Sequence, residues 1–159
     1  MNTVPEAFAA WVSPHLPAMA RLAARLAPDA DRDDVVQEAL VRAWTKRHQY
    51  DDRRGSPSAW LLAITADQAR KARSRVTKSS RLLSTVDSGK SAPVSDDGVD
   101  LRRALAQLTD RQRLAVDCVY FAGLSVAETA AVMRCAEGTV KSTLSDARAK
   151  LRVLLEVIS

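Results

Sequence analysis

The 159-residue chain reads as an all-α protein made of two small helical domains joined by a flexible linker. Three observations carry that reading. Apolar residues recur three and four positions apart along most of the chain, and nowhere do they alternate as in a half-buried strand. The five glycines (55, 89, 98, 123 and 138) and most of the six prolines fall between these periodic segments. Two sequences, Thr109-Asp110-Arg111-Gln112 and Ser125-Val126-Ala127-Glu128, have the form of capping boxes, in which side chains at both ends of a helix's first turn satisfy backbone donors.

In order along the chain, Phe8, Trp11, Val12, Leu16, Met19, Leu22, Ala23 and Leu26 form one apolar face. Pro14 and Pro17 divide it, because proline is tolerated only in a helix's first turn, so Ser13 is expected to cap a fresh helix after a short first one. The next helix starts near Asp31, with Val35, Val36, Ala39, Leu40, Ala43 and Trp44 inward and Asp34, Gln37, Glu38 and Arg42 outward. Another opens at Ser56-Pro57, a cap followed by proline, buries Trp60, Leu61 and Ile64, and is expected to reach Arg75. Residues 77–100 are rich in Ser, Gly, Asp and Pro and read as the linker, so the domains are expected at 1–76 and 101–159.

The second half carries four helices. Leu101, Ala104, Leu105 and Leu108 mark the first, and the first capping box opens the second, which ends near Gly123. The other box opens a short third, with Ala127, Ala130 and Met133 for its buried side. The last runs from about Glu137 to Val157, with Val140, Leu144, Ala147, Leu151, Leu154 and Leu155 inward.

Charge and composition narrow the function. With 24 Lys and Arg against 19 Asp and Glu the net charge is +5, which favours a polyanionic partner, nucleic acid first. No apolar run approaches the roughly 20 residues of a membrane span, and the first residues show no export signal, so a cytoplasmic, membrane-free protein is expected. Cys118 and Cys135 suffice for neither a disulfide framework nor a four-ligand zinc site and read as buried thiols. His15 and His48 are isolated and no phosphate-cradling loop is present. Asp51 and Asp52 share a loop with Arg53 and Arg54 and read as solvated, so neither an enzyme nor a metal or other cofactor is expected.

Recognition has more footing. A short capped helix, a turn at Arg134 to Ala136 and a longer helix with a polar face make a helix-turn-helix pattern. Its second helix would present Glu137, Thr139, Lys141, Ser142, Ser145 and Arg148 to a major groove. Arg70, Lys71, Arg73, Arg75, Lys78 and Arg81 form a second basic run suited to phosphate. The acidic face of Asp33, Asp34, Gln37 and Glu38 would be repelled by DNA and suits a protein partner as well as it suits the local helix dipole. Tyr50 is the aromatic residue placed to touch a base.

The residues from Asp33 to Trp44 (DDVVQEALVRAW), with Ser58-Ala59-Trp60-Leu61-Leu62-Ala63-Ile64, resemble region 2 of the extracytoplasmic-function (ECF) group of bacterial sigma-70 RNA polymerase sigma factors. Leu105 to Arg113, Gly123 to Glu128 and Gly138 to Ser142 resemble region 4 of the same group. The resemblance implies an alternative sigma factor that binds core RNA polymerase, through its beta-prime and beta subunits, and directs it to promoter DNA. Asp34, Gln37 and Glu38 would meet the beta-prime coiled coil. The first domain would open the minus-10 element using Tyr50, Arg53, Arg54, Ser56, Asp67, Arg70, Lys71, Arg73 and Arg75, with Tyr50 to Ser58 as the base-capturing loop. The second would read the minus-35 element through the helix-turn-helix face. The two elements lie roughly 70 Å apart on B-DNA, within the roughly 80 Å that a 24-residue connector spans when extended. An anti-sigma factor is a further partner in this family.

Several positions depart from the family pattern. Asp67 stands where asparagine is usual and Lys71 where aspartate is frequent; Arg134 replaces a turn glycine, Ala136 a serine cap, and Thr143 and Asp146 common arginines. Loss of a cap costs about 1 kcal/mol. Two other readings stand beside the first: a sigma-like decoy that occupies an anti-sigma factor, and a stand-alone helix-turn-helix regulator.

Overall fold

The computed structural model describes residues 4–82 and 96–158. Eight α-helices occur among them: α1 (Pro5–Val12), α2 (Leu16–Leu26), α3 (Arg32–Thr45), α4 (Pro57–Leu82), α5 (Asp96–Ala106), α6 (Asp110–Val116), α7 (Val126–Met133) and α8 (Glu137–Ile158). The all-α expectation holds.

Local chemistry sets most boundaries. The two prolines turn Ser13–His15 into a 3-10 bridge between α1 and α2. The Asp31 carboxylate caps α3, accepting from the Asp33 and Asp34 backbone N–H groups at 2.9 and 3.2 Å. The Ser56 hydroxyl accepts from the Ala59 N–H at 3.1 Å at the start of α4. Both capping boxes are closed in both directions, at Thr109–Gln112 and at Ser125–Glu128.

α2, α3 and α4 form the first bundle, around Met19, Leu22, Ala23, Val35, Ala39, Ala43, Leu61, Leu62 and Ala66. Four of these nine are alanines, which lets the helix axes approach closely. Phe8 on α1 stands edge-on to Trp44, ring centroids 5.2 Å apart. In the second domain Leu105, Leu108, Ala115, Val116, Ala130, Met133, Val140, Leu144 and Ala147 form a separate core.

The structure corrects the expectations in several places. α4 continues past Arg75 to Leu82, because no glycine or proline interrupts Val76 to Leu82, and α5 begins at Asp96, inside the expected linker. The rest of that linker, 83–95, lies outside the described residues. Gly98 and Gly138 sit within the first turns of α5 and α8 rather than between helices. Leu16 is exposed at the start of α2, and Ala127 and Leu155 are exposed as well. Cys135 is half-buried rather than buried.

The largest difference is that the two domains pack on one another. α7 is held between them: Val132 joins the core of the first domain, while Ala130 and Met133 join that of the second. A helix buried on two sides cannot follow a single stripe, which is why Ala127 falls outside the pattern. After α6 the chain makes a π-turn, Asp117–Phe121, closed by Ala122 N–H donating to the Asp117 carbonyl at 2.8 Å. That extra residue carries Cys118 and Ala122 into the first domain's core. The Arg25 guanidinium reaches across from α2, donating to the Asp117 carboxylate at 2.7 Å and lying 3.6 Å from the centre of the Phe121 ring.

Burial, and secondarily the neighbouring Asp117 charge, push the Cys118 thiol up to about 12. In the native chain at pH 8 a thiol reagent should therefore modify Cys135 and leave Cys118 untouched, both reacting after denaturation; rapid native labelling of two thiols would contradict this packing. Replacing Arg25 with Gln leaves the buried Asp117 with only Arg113, 3.8 Å away. The expected loss, read by urea unfolding, is about 2 kcal/mol.

Candidate polymerase and promoter interfaces

Three surfaces gather the residues singled out above. On α3, Val35, Ala39 and Ala43 are buried, so Asp34, Gln37 and Glu38 necessarily face outward, and all three are exposed. None of their side chains forms an ion pair or hydrogen bond among the described residues. Asp33, by contrast, lies 4.0 Å from Arg32 and serves the helix end. A row of unneutralised acceptors beside a positively charged stretch of α4 leaves an acidic surface ready for a basic partner. Arg75 lines the cleft between them.

The second surface joins the 50–56 loop to α4. The Asp51 carboxylate accepts from the Arg53 N–H at 3.0 Å, an Asx turn that projects Arg53 and Arg54 into solvent. Tyr50 packs edge-on to Trp11 at 5.2 Å and against Trp60 at 5.4 Å, and its hydroxyl donates to the Gly55 carbonyl at 3.3 Å. Partial burial, then Asp52 and Asp51, raise its phenol above the ordinary value, which already lies well above physiological pH. Tyr50, Gly55, Ala59, Trp60 and Ala63 line a cleft of about 290 Å³, large enough for a nucleobase. Along α4, Arg70, Lys71, Arg73 and Arg75 are exposed. Asp67 is partly buried, and its carboxylate is held by Arg70 one turn on.

The third surface is the helix-turn-helix. Arg134 adopts the left-handed conformation that ends α7, with φ 56° and ψ 49°, where glycine is the unstrained choice. Ala136 offers no side-chain acceptor; the Thr139 and Val140 N–H groups close on its carbonyl at 3.0 and 3.2 Å instead. Glu137, Thr139, Lys141, Ser142, Ser145 and Arg148 are all exposed on the face of α8 opposite Val140, Leu144 and Ala147. Arg148 donates to the Tyr120 hydroxyl at 2.8 Å, which ties it to the π-turn that follows α6.

Sequence reasoning missed the polar contacts between the domains. Ser58 donates to Glu128 at 2.5 Å, Arg134 reaches Asp67 at 2.5 Å, and Arg21 donates to the Ala122 carbonyl at 3.4 Å. Burial would raise the Glu128 carboxyl, but hydrogen bonds from Ser58 and Ser125 outweigh it and hold the group below its ordinary value. One signal was available for part of this network: Asp117 interrupts the run Ala115-Val116-Cys118-Val119, where a lone carboxylate demands a partner.

Known proteins resemble the chain over both domains. Sigma-70 region 2 matches residues 11–80 and Sigma-70 region 4 matches residues 98–151. The ECF RNA polymerase sigma factor SigL of Mycobacterium tuberculosis is 35% identical over 154 residues, covering 89% of this chain and 85% of that protein. The ECF RNA polymerase sigma factor EcfG of Rhodopseudomonas palustris is 32% identical over 148 residues, covering 89% and 81%. Among solved structures, CnrH in complex with the cytosolic domain of CnrY aligns with TM-score 0.70 and 28% identity over 98% of this chain and 92% of that one. The sigma factor RpoE in complex with the anti-sigma factor NepR, from Bartonella quintana, aligns with TM-score 0.64 and 29% identity, covering 96% and 98%. With both regions present in order, the chain belongs to the ECF group of the sigma-70 family and is an alternative sigma factor that binds core RNA polymerase and directs promoter-specific transcription initiation.

Proposed function

We propose a division of labour at the level of single residues. In the first domain, residues 1–76, Asp34, Gln37 and Glu38 bind the polymerase beta-prime subunit. The carrying observation is the exposure of these three side chains with no partner of their own, on a helix whose opposite side is wholly committed to the core.

The minus-10 element is engaged by Tyr50, Arg53, Arg54 and Ser56 from the loop and by Asp67, Arg70, Lys71, Arg73 and Arg75 from α4. The neutral Tyr50 ring and the adjacent cleft suit an unstacked base, whose extrusion costs a few kcal/mol, and the exposed arginines suit the phosphates around it. Asp67 repels phosphate, so its part is to order Arg70. In the second domain, residues 101–159, Lys141 and Arg148 supply charge to the minus-35 element. Glu137 can accept from a cytosine amino group, while Thr139, Ser142 and Ser145 allow close approach of the α8 backbone. Residues 77–100 connect the two.

The chain acts by recognition, without catalysis of its own, and works in the cytoplasm with the polymerase. No helix among the described residues is long and apolar enough to cross a membrane. An anti-sigma factor completes the set of partners, as CnrY and NepR accompany the two structural relatives.

Asp34→Lys with Glu38→Lys should reduce co-purification with core polymerase at least tenfold while the circular dichroism spectrum is unchanged; undiminished binding would remove the α3 assignment. Lys141→Ala with Arg148→Ala should weaken run-off transcription from a promoter dependent on its upstream element, with polymerase binding intact. Each lost base contact is worth about 1–3 kcal/mol, and a uniform loss on all sequences would mark both side chains as phosphate holders only.

A further inference from the structure

One cavity has no part in the three surfaces above, save for Arg73. The end of α2 with the 27–30 loop, the later turns of α4, and α6 with its π-turn surround about 330 Å³, and the wall carries three guanidinium groups, those of Arg25, Arg73 and Arg113. Arg25 is fixed from two directions: its Nε donates to the Asp117 carboxylate at 2.7 Å, and its guanidinium carbon lies 3.6 Å from the centre of the Phe121 ring. Its two terminal nitrogens make no hydrogen bond among the described residues. Arg113 approaches the same carboxylate through its own Nε, at 3.8 Å, and Arg73 has neither an ion pair nor a hydrogen bond among the described residues. One buried carboxylate therefore aligns two guanidinium groups by their Nε sides and leaves their forks open, the geometry that receives the oxygens of a phosphate.

We propose that this cavity binds a nucleoside phosphate, with the phosphate between the three arginines and the nucleoside against Pro28 and Val76. Against the three cations stand only the buried Asp117 and the exposed Asp29, so the wall keeps an excess of positive charge. Asp29 is an acceptor for a ribose hydroxyl, and Thr77 adds a hydroxyl donor on the α4 side. A duplex backbone needs cations that stand clear of the surface. Here the Arg25 side chain is 30% exposed and that of Arg113 43%, set back in a concavity whose volume suits a small ligand. Partial withdrawal from water also lessens the screening of their charge by salt. Inorganic phosphate alone would leave the apolar part of the wall, at Leu26, Pro28 and Val76, without a partner.

Isothermal titration calorimetry of the full chain with ADP and with GDP should show one site for at least one of them, with Kd on the order of 10–100 μM. Inorganic phosphate and the free nucleosides should bind at least roughly tenfold more weakly. Arg73→Ala should lower nucleotide affinity about tenfold and leave the thermal midpoint of the unliganded chain unchanged, because Arg73 has no partner in the fold to lose. Arg152→Ala removes the same charge from an exposed position on α8 outside the cavity wall and should leave the affinity as it was. Saturating nucleotide should raise the midpoint of the natural chain more than that of Arg73→Ala. Absence of binding by both nucleotides at millimolar concentration, or undiminished affinity in Arg73→Ala, would remove the site. Equal affinity for inorganic phosphate would overturn the nucleoside part of the assignment. An equal loss in both variants would reduce the effect to general attraction of an anion by a chain of net charge +5. These measurements involve neither polymerase nor DNA, so their outcome is independent of the interface assignments.

Discussion

The arrangement depends on the double burial of α7. One short helix supplies Ala130 and Met133 to the core of its own domain and Val132 to that of the other, so the helix-turn-helix is built and docked by the same eight residues. Its capping box does the same at the polar level. Glu128 closes the first turn of α7 by accepting from the Ser125 N–H at 2.9 Å while its other oxygen accepts from Ser58 of α4. A residue readable as purely local therefore carries tertiary information. Docking and folding of this helix are therefore coupled.

Electrostatics divides the surface by partner. Acidic side chains occur unpaired on α3, where repulsion keeps DNA away, and cations are exposed along α4 and α8, where phosphate can displace water and counterions. Between these zones the charges are used internally: Arg25 and Arg113 neutralise the buried Asp117, and Arg70 and Arg134 neutralise Asp67. The Arg25–Asp117 and Arg134–Asp67 pairs join the two domains, so the charges spent on packing differ from those proposed to meet polymerase and promoter, except at Asp67.

Much of the helical framework was legible because its signals are local. Pro57, the Asp31 cap and two capping boxes act within one turn, and each lies at the boundary it predicted, whereas Ser13 caps no helix: Ser13–His15 form the 3-10 bridge and α2 opens three residues later, at Leu16. The outward placement of Asp34, Gln37 and Glu38, and of Lys141, Ser142, Ser145 and Arg148, followed from helical period alone, since burying one face exposes the other. The limits of α4 and α5 were less legible, because serine- and aspartate-rich turns have weak preferences that neighbouring helix can override.

By itself the sequence determined an all-α chain, two helical domains, an acidic face and a helix-turn-helix, the elements themselves being properties of spacing within about a dozen residues. Only the tertiary structure decided that Cys118 and Ala122 belong to the first domain's core, that Asp117 is paired, and that Asp67 and Arg134 are partners. Each of those facts joins residues 67 to 101 positions apart, and no periodicity encodes which of many exposed arginines will meet a given carboxylate. That choice is made by the packing of α7 on α4, a long-range contact whose energy is spread over many small apolar surfaces.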